Sequence, residues 1–155
     1  MRGAAARAWR LAGALCALVV VLDQGAKALI EAELVPGRHV DVAGPLGLTL
    51  SHNRGVAFGL ASGGGEALIA VTVGALALVL ALFARNPTRP GMWVAAGLLA
   101  GGALGNLADR LRAGAVTDYV DLHLLSWPPF NLADVSITIG VLLLALSYVR
   151  EPSHG

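Results

Sequence analysis

The chain has 155 residues, a length that suits one domain. With 56% hydrophobic and only 14% charged residues and a mean hydropathy of +0.71, it lies outside the range of ordinary soluble proteins and reads as a membrane protein. A net charge of +1, with no basic cluster interleaved with aromatics, excludes nucleic acid as a partner.

In chain order, the basic opening MRGAAARAWR and the apolar LAGALCALVVVL have the parts of a secretory signal peptide. Three features argue against that reading. Apolar character continues past Asp23 into Ala26, Leu29 and Ile30, no Ala-x-Ala site precedes a soluble domain, and further apolar segments follow. A lipoprotein-type site at Cys16, the only cysteine and one without an internal disulfide partner, fails because bulky Leu15 precedes it. The segment is expected to be a first membrane helix over residues 9 to about 30. Three further spans are expected at 66–84, 92–107 and 131–149, each near the ~20 residues that a bilayer requires. Arg2, Arg7, Arg10, Arg85, Arg89 and Arg150 lie on the short ends and the middle turn, whereas Glu31, Glu33, Asp41, Asp109, Asp118 and Asp121 lie on the connections 31–65 and 109–130. The positive-inside rule then puts both termini in the cytoplasm and the two long connections outside.

The first outer connection alternates in strand fashion over 38–42 and 46–52, separated by Ala43-Gly44-Pro45, and predicts a small hairpin on the membrane surface. The Ser62–Gly65 stretch reads as a flexible return to the second helix. Gly97, Gly101, Gly102 and Gly105 on the third helix have the small-xxx-small spacing that lets a neighbouring backbone approach closely.

Carboxylates at the two edges of this oily sequence carry the candidate chemistry. Asp134 lies near the start of the apolar run 131–149, where an ionised carboxylate is retained only for a function or a partner. Asp118 lies on the amphipathic segment that leads into that run. Two carboxyls brought together at a membrane edge cannot both ionise easily and hold a shared proton, as in aspartic proteases. Taken alone, the two could also be helix-end carboxylates, one capping a helix and one snorkelling to the interface. Asp23 and Lys27, four apart, either orient a site or simply pair on a helix surface. Asn53 and Arg54 are turn residues or contacts for a backbone carbonyl or lipid head group. Asn106, Asp109 and Arg110 cluster at a helix end as a self-satisfied polar cap or as support for the chemistry. His39, His52, His123 and His154 lack HExxH or other ligand spacing, so no metal and no cofactor are expected. A Ser–Lys protease would need Lys27, the only lysine, as base, and no nucleophile motif surrounds Ser51, Ser62, Ser126 or Ser136.

The motifs Leu22-Asp-Gln-Gly-Ala-Lys27, Asn53-Arg-Gly-Val-Ala-Phe-Gly59, Gly101-Gly-Ala-Leu-Gly-Asn-Leu-Ala-Asp-Arg110, Val116-Thr-Asp-Tyr119 and Phe130-Asn-Leu-Ala-Asp134 stand in one order along the chain. Together they make it resemble lipoprotein signal peptidase, the bacterial type II signal peptidase. Tyr119 stands where that motif often has Phe, which keeps the ring. The resemblance implies an all-α integral membrane protein: a single peptidase domain, 1–155, of four transmembrane helices with a small β-cradle and a short outer helix over the site. It assigns catalysis to Asp118 and Asp134, and a site-lining or supporting role to Asp23, Asn53, Arg54, Asn106, Asp109, Arg110 and Asn131, with Lys27 of the first motif among the supporting set. The implied substrate is a diacylglyceryl-modified prolipoprotein, cut before its lipidated cysteine at the outer face of the bacterial plasma membrane. Phospholipid would surround the protein, and no obligate protein partner is evident. The implied chemistry is general acid–base hydrolysis without a covalent intermediate. The rival reading is a small proton- or cation-coupled transporter using Asp23, Asp118 and Asp134, with a non-enzymatic chaperone of membrane assembly as a third.

Overall fold

Predominantly apolar runs give four helices among the described residues: α1 (Arg2–Glu33), α2 (Gly64–Arg85), α3 (Met92–Ala113) and α4 (Leu132–Val149). The computed structural model describes residues 2–55, 64–122 and 127–149. Residues 56–59 of the second motif, together with Ser62, His123, Ser126, Arg150 and His154, lie outside them. Three of the helices, Arg2–Glu33, Glu66–Arg85 and Leu132–Val149, are long and apolar enough to cross a membrane. Their side chains are largely exposed, including Val21, Leu29, Val71, Leu78, Leu142 and Val149, which is the pattern of surfaces that face lipid rather than water.

The central helix is α3, which packs against α1, α4 and α2. Its glycines permit this. A Cβ at Gly102 would lie 2.5 Å from the carbonyl oxygen of Ala133 and 2.8 Å from Cγ1 of Ile137, and one at Gly105 would lie 2.5 Å from Oδ2 of Asp23. Small residues therefore let the α4 backbone touch α3 and leave room for a carboxylate from α1. At the other end of the bundle Ala8, Ala12, Phe83, Met92 and Ala96 form an apolar cluster, with the Trp9 and Phe83 ring centroids 4.5 Å apart.

The two long connections form one antiparallel sheet in the order β1 (His39–Ala43), β2 (Leu46–Asn53), β3 (Val116–Leu122) and β4 (Trp127–Phe130). The β1–β2 ribbon turns at Gly44-Pro45, with Ala43 opposite Leu46. The sheet reaches beyond the expected hairpin, because β2 pairs with β3, Ser51 opposite Asp118 and Asn53 opposite Val116. Asp118 thus stands on a strand of the segment that leads into α4: Val116-Thr-Asp-Tyr-Val is rich in β-branched and aromatic residues, which suit a pleated surface. No short outer helix occurs among the described residues.

Two boundaries also differ from expectation. The first helix runs from Arg2 to Glu33, beyond 9–30. The third continues to Ala113, so Asp109, Arg110 and Arg112, expected to open the second outer connection, belong to α3. Falling hydropathy suggested an end at 107, but the polar groups that follow are met by protein rather than by lipid. The helix ends only where Gly114 takes φ 69° and its N–H bonds the carbonyl of Arg110 at 3.0 Å. Because the Ala133 carbonyl cannot give way without moving α4, Gly102→Ala is expected to lower stability by about 1–3 kcal/mol, measured by thermal or denaturant unfolding in detergent.

Candidate active site

The start of α4 is fixed by its own side chains. Asn131 immediately precedes the helix; its Oδ1 accepts the N–H of Asp134 at 2.9 Å, while Oδ2 of Asp134 accepts the N–H of Asn131 at 3.2 Å. This reciprocal pair is a capping box, and it places the Asp134 carboxylate at the positive end of the helix dipole. The capping role considered for one of the two carboxylates is therefore real, and it leaves Asp134 held in place rather than snorkelling. The other oxygen of Asp134, Oδ1, accepts from Nδ2 of Asn106 at 2.8 Å.

Asn131 reaches the second carboxylate as well. Its Nδ2 donates to Oδ1 of Asp118 at 2.7 Å, with longer bonds to Oδ1 of Asn106 at 3.2 Å and to the carbonyl of Thr117 at 3.3 Å. Asp118 and Asp134, sixteen positions apart in sequence, thus share one completely buried asparagine as a common neighbour. Burial pushes the Asp118 carboxyl up to about 6; the Asn53 side chain opposes this, the Asp134 charge adds to it, and Asn131 and Lys27 act against it.

Behind the pair lies an ion cluster. Lys27 Nζ is 2.7 Å from Oδ2 of Asp23 and 2.7 Å from Oδ2 of Asp109, and donates to Oδ1 of Asn106 at 3.0 Å. Lys27 and Asp23 are 0% exposed and Asp109 is 1% exposed, so of the two readings of the Asp23–Lys27 spacing the surface pair is excluded. Since Lys27 and Asn131 both donate to Oδ1 of Asn106, the amide nitrogen of that side chain is directed at Asp134. Asp23 also accepts the N–H of Ala133 in the first turn of α4 at 3.0 Å, and Asp109 accepts the N–H of Thr117 at 3.3 Å.

Asp23, Lys27, Asn106, Asp109, Asp118, Asn131 and Asp134 are therefore brought into one connected network. Arg110 lies at its edge, donating from Nη1 to the carbonyl of Asn106 at 3.3 Å. Asn53 closes a turn by accepting the N–H of Gly55 at 2.8 Å, and Arg54 beside it is exposed. Two participants were not singled out from the sequence. Gln24 donates to Oδ1 of Asp109 at 2.9 Å and to the carbonyl of Gly105 at 3.2 Å, and Thr117 donates its hydroxyl to Oε1 of Glu31 at 2.6 Å. A signal for both existed in the motifs, where each is a polar residue adjoining an aspartate. Among the described residues no group of His, Cys, Asp and Glu could hold a metal ion.

Residues 15–150 match the family described as signal peptidase (SPase) II. The chain belongs to the signal peptidase II family. It is 42% identical over 132 residues to a lipoprotein signal peptidase of Moorella thermoacetica, covering 84% of this chain and 87% of the relative. It is 43% identical over 135 residues to one of Brucella ovis, covering 83% of each chain. A bacterial membrane enzyme solved by the in meso method at 2.3 Å superposes with a TM-score of 0.83 at 32% identity, covering 92% of this chain and 89% of that one. Family membership identifies a peptidase in a multi-pass membrane protein, and nothing in these comparisons supports a transporter. The buried polar side chains Asp23, Lys27, Asn106, Asp109, Asp118 and Asn131 collect at one end of the bundle, so no described polar path crosses it.

Removing the Lys27 ammonium leaves the buried Asp23 without its 2.7 Å cation and Asp109 facing the exposed Arg112 guanidinium at 3.5 Å. Lys27→Met is accordingly expected to cost about 3–5 kcal/mol, seen as a lower melting temperature and lower folded yield in detergent.

Proposed function

We propose that this chain is an aspartic endopeptidase that removes the signal peptide from diacylglyceryl-modified prolipoproteins, cutting before the lipidated cysteine, with Asp118 and Asp134 as its catalytic pair. The observation that carries this reading is Asn131, which donates to Asp118 through its side chain and to Asp134 through its backbone. Asp118, with its carboxyl raised to about 6, is the partner suited to hold the shared proton. Asp134 then takes a proton from a water molecule as it attacks the scissile carbonyl, and Asp118 donates to the carbonyl oxygen. Return of protons to the leaving amine completes hydrolysis with no covalent intermediate.

Asp23, Lys27, Asn106, Asp109 and Arg110 support the pair rather than react. Arg54, exposed at the end of β2, contacts substrate, where its planar fork suits a carbonyl or head group. An apolar hollow of about 310 Å³ beside Asp134, walled by Leu122, Trp127, Phe130, Val135 and Ile139, and one of about 180 Å³ touching Asn106 between α2, α3 and α4, suit the greasy parts of such a substrate.

In this reading 1–155 is one membrane-embedded domain that crosses the bacterial plasma membrane four times, α3 included. Its arginine-rich end and both termini face the cytoplasm, and the aspartates face outward. It acts within the phospholipid bilayer without a cofactor or an obligate protein partner.

Asp118→Asn and Asp134→Asn each keep the side-chain size but remove the acid–base function. Cleavage of a lipidated prolipoprotein by the purified variants should fall at least about a hundredfold while the protein still folds and inserts; near-normal turnover by either sinks the assignment. The pH profile provides a second test. Since Asp118 loses its proton above about 6, kcat/KM should decline on the alkaline side with an apparent pKa near that value. Asn53 favours the ionised carboxylate, so Asn53→Ala should raise the Asp118 pKa and move that limb to higher pH; a limb that stays or moves downward places the proton elsewhere.

A further inference from the structure

At the end of the bundle away from the aspartates lies a cavity of about 650 Å³ between the first turns of α1 and the α2–α3 turn, its walls including Arg7, Leu11, Thr88, Arg89, Pro90 and Trp93. Arg7 precedes Asp23 by sixteen residues on one continuous helix, which sets the cavity ~24 Å from the ion cluster along the axis. The walls are built rather than loose. The turn is closed by the N–H of Arg89 on the carbonyl of Asn86 at 3.2 Å and the N–H of Met92 on the carbonyl of Arg89 at 3.1 Å, and Pro87 and Pro90 stiffen it. The Arg89 guanidinium is held by α4: Nε donates to the carbonyl of Ser147 at 2.7 Å, and Cζ lies 4.1 Å from the centre of the Tyr148 ring.

Among the described residues the charged side chains at this end are arginines. Arg2, Arg7, Arg10, Arg85 and Arg89 are here, and among the described residues no carboxylate precedes Asp23 on α1, occurs between Glu66 and Asp109, or follows Asp134. A planar guanidinium matches the oxygens of a phosphate. Leu11, Pro90 and Trp93 offer an apolar wall where the helices enter the bilayer, and indole rings favour that depth. Basic pockets between helices on the cytoplasmic side suit acidic lipid head groups, and the volume lies within the ~300–1,000 Å³ of small-ligand sites.

We propose that this cavity binds the phosphate head group of an anionic phospholipid, with Arg7 on the phosphate and the glycerol end against Leu11 and Trp93. The site is independent of the catalytic pair. It would anchor the paired ends of α1 and α3 to the leaflet surface.

The test is native mass spectrometry of the purified full chain in detergent, titrated separately with phosphatidylglycerol, phosphatidylcholine and inorganic phosphate. The wild type should retain one phosphatidylglycerol in clear preference to phosphatidylcholine, and inorganic phosphate should not displace it. Arg7→Gln, at an exposed position, should weaken that retention about fivefold, equivalent to the ~1 kcal/mol of one basic residue at a membrane surface. Ala4→Phe, which fills the cavity from an exposed wall position, should weaken it independently of charge. Equal retention of the two lipids by the wild type, or unchanged phosphatidylglycerol retention in both variants, overturns the proposal. Ready displacement by inorganic phosphate overturns the lipid as occupant.

Discussion

One buried ammonium, that of Lys27, holds the ends of the bundle in register. A lone charge of that kind in an apolar interior would be prohibitive, but here two carboxylates lie 2.7 Å away on either side. Each of those carboxylates is in turn committed to another element, Asp23 to the first turn of α4 and Asp109 to the backbone of β3. The cluster therefore joins α1 and α3 directly, and through them grips the two elements that carry Asp134 and Asp118. Desolvating an ion pair rarely adds net stability over an apolar replacement. What the arrangement supplies is position: the groups must meet in this geometry or remain uncompensated.

Such a meeting requires helices that approach closely. The absent side chains at Gly102 and Gly105 do this on adjacent turns, one admitting the α4 backbone and the other admitting the Asp23 carboxylate. Lipid offers no hydrophobic drive for helices to associate, so close backbone contact and buried polar bonds carry that task. In α3 both occur on one helix, with glycines along its middle and Asn106 and Asp109 at the end beside the sheet.

Much of this was legible in the sequence. The apolar runs were plain because lipid exposure selects them, and α2 and α4 came within two residues of their expected ends. Alternation over 38–42 and 46–52 marked β1 and β2. Physics singled out Asp118 and Asp134 as carboxylates at the edges of an apolar sequence, but only the resemblance favoured a catalytic pair over helix-end carboxylates, since sixteen residues of separation do not reveal a shared neighbour. Hydropathy misjudged the end of α3 because it cannot distinguish a polar residue facing water from one facing a buried lysine. That misjudgement hid the Asp109 partner of Lys27 and left the Asp23–Lys27 spacing ambiguous. The pairing of β2 with β3 was hidden for a related reason: it joins segments more than sixty residues apart, and local pattern carries no trace of it.

The passage from β4 to α4 takes a single residue, Asn131, between Phe130 and Leu132. Sheet and helix are thus geared together with no slack. Adding or deleting one residue at this joint would turn every α4 side chain by about 100° and slide it by ~1.5 Å, carrying the carboxylate off the face it shares with α3. A change of length elsewhere in the two long connections has no such effect on α4, whereas this joint acts as the ruler that sets how deep beneath the sheet the carboxylate sits.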